Sequence, residues 1–256
     1  MSLFSGAKVF LASLAVWGLA AQAAPPQRCL SECTPRIGIV SAFGAEADIL
    51  LAQTTGQRAW TINGKRFTTG TLRGNRVVIV LSGVSMVNAT LVTQQLIDHF
   101  RIERLVMSGI AGGINPAHHV GDVTVPDRWA MPMEVYWNAD GQTPAPCGAP
   151  RDVACLGLAL AEAPPFNGWF LRQNHVLTSV SAPKGEFRLD YPVDAKMLQV
   201  ARGLQPALAR CGPNGAKQCV SEQPRLVVGG RGVSGTAFLA NAEYRRYLFE
   251  ALQAET

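Results

Sequence analysis

The chain has 256 residues, enough for one α/β domain with a sizeable core. Its hydrophobic fraction of 48% excludes an intrinsically disordered protein. The formal net charge of +5 is modest and scattered, with no Lys/Arg run carrying interleaved aromatics, so nucleic acid is excluded as a partner and only a general attraction to anionic surfaces remains.

Taken in chain order, the first 23 residues read as a signal peptide. Lys8 supplies a positive n-region, Val9–Ala20 an apolar h-region, and Ala21-Gln22-Ala23 a signal-peptidase site. The apolar run is short of the roughly 18 residues that a membrane span needs, and no later segment reaches that length. The mature protein is expected to start near Ala24 and to be periplasmic or secreted, with residues 24–256 as one domain that has no membrane attachment after leader removal. All six cysteines follow the leader: Cys29, Cys33, Cys147, Cys155, Cys211 and Cys219. Sequence-local disulfides are the simplest pairing, though composition leaves other connectivities open. No metal site is expected, because there is no tight CxxC pair or His-x-x-x-His helix, and adjacent His118 and His119 would point apart.

Ile37–Val40 reads as a buried strand, Ser41–Ala45 as a turn, and the following residues as a helix with Ile49, Leu50 and Leu51 near its start. Glu46 then sits near a helix N-terminus, where the helix dipole alone favours a solvated carboxylate. Arg76–Ser82 predicts a second strand. Val87–Phe100 predicts a helix with Leu91, Val92, Gln95, Leu96 and Phe100 near helical spacing. Leu105–Met107 opens into the glycine-rich turn SGIAGGINPAHHVGD. Gly109, Gly112 and Gly113 there allow the backbone to turn sharply and to approach a ligand, as happens at strand ends in open α/β sheets. Val123–Val125 predicts a strand, Ala139–Pro165 an insertion loop, Val193–Arg210 a helix, and Arg225–Val228 a strand. Val233–Asn241, VSGTAFLAN, is a further Ser-Gly turn; Phe238 within it reads from the residues alone as a core aromatic.

Four of these pieces, IGIVSAFGAEADIL, RVVIVLSGVSMVNATLVTQQLIDHF, SGIAGGINPAHHVGDVTV and VSGTAFLAN, resemble in their order and spacing the purine and uridine phosphorylase superfamily. The resemblance is nearest to its methylthioadenosine/S-adenosylhomocysteine nucleosidases and their secreted relatives, including plant storage proteins. It runs from about Arg36 onward, more loosely through Met131–Gln223. It implies a three-layer α/β/α sandwich around a central mixed β-sheet and a homodimer or larger homo-oligomer, with no metal or organic cofactor.

The resemblance also implies residue roles. Glu46 matches the carboxylate that positions water, and Phe43 the apolar residue near the 5′ substituent. Val84, Ala111 and Gly112 match the turns beside the sugar and base. Phe238 matches the aromatic that stacks on the purine, and Leu239 the residue whose backbone meets the base edge. Cleavage of an N-ribosyl bond passes through an oxocarbenium-like state, which asks for a base to activate water. The expected function is therefore hydrolysis of a purine nucleoside or 5′-thio-nucleoside. A non-catalytic nucleoside-binding or storage protein is the alternative, because Ile110 stands where the nucleosidases have a serine. A nucleoside phosphorylase ranks third. Met107 stands where phosphorylases carry a phosphate-binding arginine, and Phe43–Glu46 offers no cation in place of another. The family pattern continues past Thr256 with a Met-Glu pair and a strand carrying Arg, Ser and Asp, so a C-terminally incomplete domain is expected.

Overall fold

The computed structural model describes residues 29–138, 141–179, 184–212 and 218–256; the signal peptide expected at 1–23 lies outside them. The predicted first strand lies within β1 (Glu32–Ser41), and α1 (Gly44–Gln53) follows it. Next come β2 (Thr55–Ile62), β3 (Lys65–Leu72), β4 (Asn75–Leu81), α2 (Met86–His99) and β5 (Phe100–Met107). The five strands form one sheet in the order β2-β3-β4-β1-β5. β1 is parallel to β4 and β5, whereas β2–β3 and β3–β4 are antiparallel, so the sheet is mixed. The two antiparallel connections turn at Asn63-Gly64 and Arg73-Gly74, all four residues having positive φ (47, 75, 48 and 80°), as a tight right-twisted hairpin requires.

Side-chain alternation along β1 and β4 sorts apolar residues onto both faces. Val40, Val78 and Val80 pack with Phe67 and Phe100 against Val92 and Leu96 of α2. Ile39, Val77 and Ile79 face the other way, against Ala47, Leu50 and Leu51 of α1. This gives the α/β/α layering. A Cβ on Gly38 would come within 2.9 Å of Leu96 Cδ2, so glycine lets α2 lie directly on β1. The apolar stripe of α2 is narrower than its sequence spacing suggested: Leu91 is 58% exposed.

Downstream of β5 the strands are short: β6 (Val123–Val125), β7 (Arg128–Ala130), β8 (Val135–Trp137), β9 (Trp169–Leu171), β10 (Asn174–Val176), β11 (Glu186–Arg188) and β12 (Asp190–Pro192). They are followed by α3 (Ala195–Arg202), β13 (Leu226–Val228), β14 (Arg231–Val233) and α4 (Ala242–Leu252). β6 pairs in parallel with β13, and β7 lies between β12 and β14. A second core gathers Tyr244, Leu248 and Leu252 of α4 with Ile114, Ala161 and Leu171, and Phe166 and Trp169 pack on it. The Tyr244 hydroxyl donates to Pro132 O at 3.0 Å, and burial pushes its phenol up to about 12.

Two sequence expectations need correction here. The helix predicted over Val193–Arg210 is only α3: Asp194 caps it by accepting from Met197 N at 2.8 Å, and it stops before Gly203, with Pro206 three residues on. Phe238 is not a core residue, being 90% exposed. Disulfides join Cys29–Cys33, Cys147–Cys155 and Cys211–Cys219, each spanning a short loop. Cys147–Cys155 lies in the loop expected at Ala139–Pro165, where residues 154–156 form a single 3-10 turn.

The start of β6 is held by a buried carboxylate. Asp122 accepts from His119 N at 3.1 Å, Arg225 N at 3.0 Å and Arg225 Nε at 3.4 Å, which joins the segment entering β6 to the one entering β13. Gly121 before it has φ 102°, a conformation that disfavours a side chain. Burial pushes the Asp122 carboxyl up, but the two backbone N–H groups and the Arg225 guanidinium outweigh it and hold it below the ordinary aspartate value. A carboxyl depressed in the folded state contributes stability above its unfolded pKa that is lost as pH falls through the folded value. Asp122→Asn should therefore cost about 1–3 kcal/mol at neutral pH and reduce the acid sensitivity that sets in below about pH 4. Denaturant unfolding at pH 7 and pH 3 measures this; an equal loss at both pH values would contradict it.

Candidate functional site

β1, β4 and β5 run parallel and end side by side, so the turns that follow them meet. Ser82 N donates to Ser41 O at 2.8 Å, Gly83 N to Ala42 O at 2.9 Å, and Ser108 N to Val40 O at 2.9 Å. These bonds carry the sheet's pairing past the strand ends and set Ala42–Phe43, Gly83–Val84 and Ser108–Gly109 next to one another.

Glu46 lies in the first turn of α1, where helix N–H groups lack partners of their own. Its Oε2 accepts from Ala42 N at 2.6 Å and Phe43 N at 3.4 Å, closing the turn after β1. Its Oε1 accepts from Ile110 N at 2.9 Å, reaching the turn after β5. One carboxylate thus bridges two turns 64 residues apart. It has roughly four acceptor positions and meets three amides, which leaves room for a small donor such as water. Gly109 makes the approach feasible: a Cβ there would lie 2.7 Å from Glu46 Oε1. The glycine is required by space, which is the close approach read from the sequence, although its occupant in this structure is a side chain of the same chain.

Beyond Gly109 the turn opens outward. Ile110 is 81% exposed, and Ala111 and Gly112 are also exposed. Nothing lies within 4 Å of a Cβ built on Gly112. The structure therefore gathers Phe43, Glu46, Val84 and the Gly109–Gly112 turn at one end of the sheet, and Phe43 and Val84 present exposed apolar surface there. Phe238 and Leu239 sit on a separate loop, between β14 and α4, against Met133: Thr236 Oγ1 lies 3.8 Å from Met133 Sδ. No hydrogen bond or ring contact joins Phe238 to the other described residues. The link between this loop and the turn is indirect, through Arg245 of α4, whose Nε donates to Gly113 O at 2.8 Å.

A hollow of about 620 Å³ lies elsewhere, on the α1 side of the sheet beside Leu51, Thr68 and Ile79. It reaches Ala42 and Gly83 at the strand ends, but Phe43, Glu46, Val84, Ala111 and Gly112 do not line it. The chemistry-bearing residues form an open ledge. Among the described residues no group of three His, Cys, Asp or Glu side chains could hold a metal ion, and no helix is long and apolar enough to cross a membrane.

Sequence reasoning missed the contacts at the far end of the turn. Glu255, His118 and Arg245 hold it from below, and only the adjacency of His118 to the glycine run hinted at this.

A family profile described as "Phosphorylase superfamily" matches residues 36–255. A 5′-methylthioadenosine/S-adenosylhomocysteine nucleosidase of Lysinibacillus sphaericus is 35% identical over 93 residues, 36% of this chain and 40% of the relative. The corresponding nucleosidase of Bacillus thuringiensis is 30% identical over 128 residues, 48% of this chain and 55% of the relative. The chain thus matches about half or less of the length of these curated relatives. Among solved structures, the S. pneumoniae nucleosidase with a transition-state inhibitor superposes with a TM-score of 0.56 at 19% identity, over 86% of this chain and 73% of that one. A futalosine hydrolase mutant of Helicobacter pylori superposes with a TM-score of 0.54 at 16% identity, over 87% of this chain and 77% of that one. At such identities the superpositions establish the fold.

Gly109→Ala should push the Glu46 carboxylate out of the turn, because its Cβ has nowhere else to go. We expect a loss of about 1–3 kcal/mol, typical of overpacking, and faster hydrogen exchange at the Ile110 amide. Wild-type melting together with wild-type protection of that amide would refute the steric argument.

Proposed function

The chain belongs to the phosphorylase superfamily, and we propose that it is an N-ribosyl hydrolase acting on a purine nucleoside or 5′-thio-nucleoside, with Glu46 activating the attacking water. The observation that carries this reading is the Glu46 carboxylate, held by amides of two strand-end turns and standing at the edge of the exposed Ala111–Gly112 ledge. In the proposed step, water oxygen attacks the anomeric carbon as the bond to the base breaks. The bonding pair leaves with the base, which takes a proton from solvent, while Glu46 takes a proton from the attacking water and returns it to solvent, giving free base and ribose or its 5′-thio analogue. Phe43 and Val84 would flank the 5′ end of the sugar. Phe238 and Leu239, on their exposed loop, would cover the base once it is bound.

Hydrolysis is favoured over phosphorolysis because Met107 and Phe43–Glu46 place no cation where a phosphate would sit, and the Glu46 charge would repel one. One observation favours a second reading, a nucleoside-binding or storage protein: Ile110 offers an exposed apolar side chain where a hydroxyl could hold ribose or water. We also propose that residues 24–256 act as one exported domain and assemble as a homo-oligomer. The three disulfides support export, since such bonds persist in oxidising compartments.

Release of free base from 5′-methylthioadenosine and adenosine, with and without phosphate, tests the reading. Glu46→Gln should keep the shape and lower the rate about 10²–10⁴-fold, with binding less affected. Turnover at the wild-type rate would reject Glu46, binding without turnover in the wild type would favour the second reading, and phosphate-dependent turnover would restore the phosphorylase. Phe238→Ala should weaken nucleoside binding by about 1–3 kcal/mol while leaving the melting temperature unchanged, as befits a side chain outside the core. A fall in stability without a fall in affinity would contradict the stacking role.

A further inference from the structure

Glu255 is the residue on which the far end of the glycine-rich turn converges. Its carbonyl accepts from Ile114 N at 3.0 Å and Asn115 N at 3.2 Å. Its carboxylate Oε2 accepts from Asn115 Nδ2 at 2.9 Å and lies 2.6 Å from His118 Nε2. The neighbouring Thr256 hydroxyl donates to Gly112 O at 3.1 Å. The segment carrying both residues is itself fixed to β14: Glu255 N donates to Arg231 O at 2.8 Å, and Val233 N donates to Thr256 O at 2.7 Å. A Cβ on Gly230 would fall 2.4 Å from Glu255 Cγ, so the glycine just before β14 leaves room for the Glu255 side chain.

The His118 side chain is only 5% exposed. Its Nδ1 is buried, makes no hydrogen bond, and lies 4.0 Å from the Asp122 carboxylate, which is engaged with His119 and Arg225. Among the described residues the ring's hydrogen-bond partner is Glu255. A buried polar pair is a poor source of stability compared with an apolar pair of the same volume. What it supplies is direction, since a 2.6 Å contact fixes the ring, and through the ring the chain between Asn115 and Asp122.

We infer that Glu255 and His118 are positioning residues for the nucleoside ledge. Glu255 clasps the turn at Ile114–Asn115 and is tied to His118, while its neighbour Thr256 holds Gly112, as Glu46 holds the turn at Gly109–Ile110. The inference rests on the reading of the ledge as a nucleoside site. Between the two grips lies Ala111, flanked by Ile110, held through its N–H, and Gly112, held through its carbonyl. The clasp sets the height of this bend against the Glu46 carboxylate, and so the distance between bound sugar and activated water.

The test uses the full chain with Glu255→Ala, Glu255→Gln and His118→Phe. Hydrogen exchange without ligand, titration with 5′-methylthioadenosine, and kcat and KM for that compound are measured on each. In Glu255→Ala the carboxylate contacts to Asn115 Nδ2 and His118 Nε2 are lost and amides 112–116 should exchange about tenfold faster, the equivalent of one hydrogen bond to a charged group, while β1 and α2 keep their protection. Affinity and kcat/KM should fall by about the same factor. Glu255→Gln keeps an acceptor oxygen and should stay near wild type; this rescue distinguishes lost positioning from lost charge. His118→Phe keeps the volume and reads the same effect if Glu255→Ala does not fold. Unchanged exchange at 112–116 overturns the clasp. Faster exchange with wild-type affinity and kcat/KM overturns the positioning role. A wild-type chain that binds no nucleoside overturns the underlying reading and the positioning role with it, whereas the exchange data still decide whether the clasp exists.

Discussion

Two parallel strands that stop side by side leave backbone amides that the sheet cannot pair, and in this chain the Glu46 carboxylate takes them up. Ala42 N and Phe43 N follow β1, and Ile110 N follows β5. Because the acceptor is the third residue of α1, the same contact fixes where the helix starts and how the glycine-rich turn leaves the sheet. Gly109 is the space that this arrangement demands. The exposed ledge is shaped by this contact, since Ala111 and Gly112 follow directly on the held amide.

The turn is also the passage between two hydrophobic cores. Behind Glu46 lie the two faces of the five-stranded sheet, one under α1 and one under α2. Ahead of it, Ile114 is buried with Tyr244, Leu248 and Leu252 of α4. A backbone anchored by burial at one end and by a carboxylate at the other cannot relax outward in between, even though its middle is solvent-exposed. Gly113 O, tied to Arg245, adds a link to the helix that follows the Phe238 loop. Movement of that helix relative to the sheet would therefore be felt at the ledge.

The site was only partly legible in the sequence. Glu46 and the glycine run were visible as residue types at strand ends. That Glu46 reaches the second turn was not visible, because a bond across 64 residues leaves no periodic trace. Phe238, after a Ser-Gly turn, reads from the residues alone as a core aromatic, yet it is exposed. The clasp went unseen because Glu255 looks like any acidic residue after a helix. Its role depends on β14 bringing it beneath residues about 140 positions earlier. The hairpin at Asn63-Gly64 does carry a local signal in its Asn-Gly dipeptide, whereas Arg73-Gly74 carries a weaker one in its glycine.

By itself the sequence determined the features that arise from neighbours along the chain. Among these are the apolar strands at Ile37–Val40, Arg76–Ser82 and Val123–Val125, the α2 helix, the short spacing that makes local disulfides the simplest pairing, and the superfamily to which their order belongs. Period and short spacing are sufficient there, because burial on one face and closure of a short loop are local demands. Tertiary structure alone decided that Leu91 faces solvent and that Asp122 pairs with Arg225. It also decided that the glycine turn is gripped at both ends by carboxylates distant in sequence. Those outcomes depend on which buried polar groups meet once the layers have packed. A buried donor or acceptor must find whatever partner the fold brings within reach, wherever in the chain that partner lies.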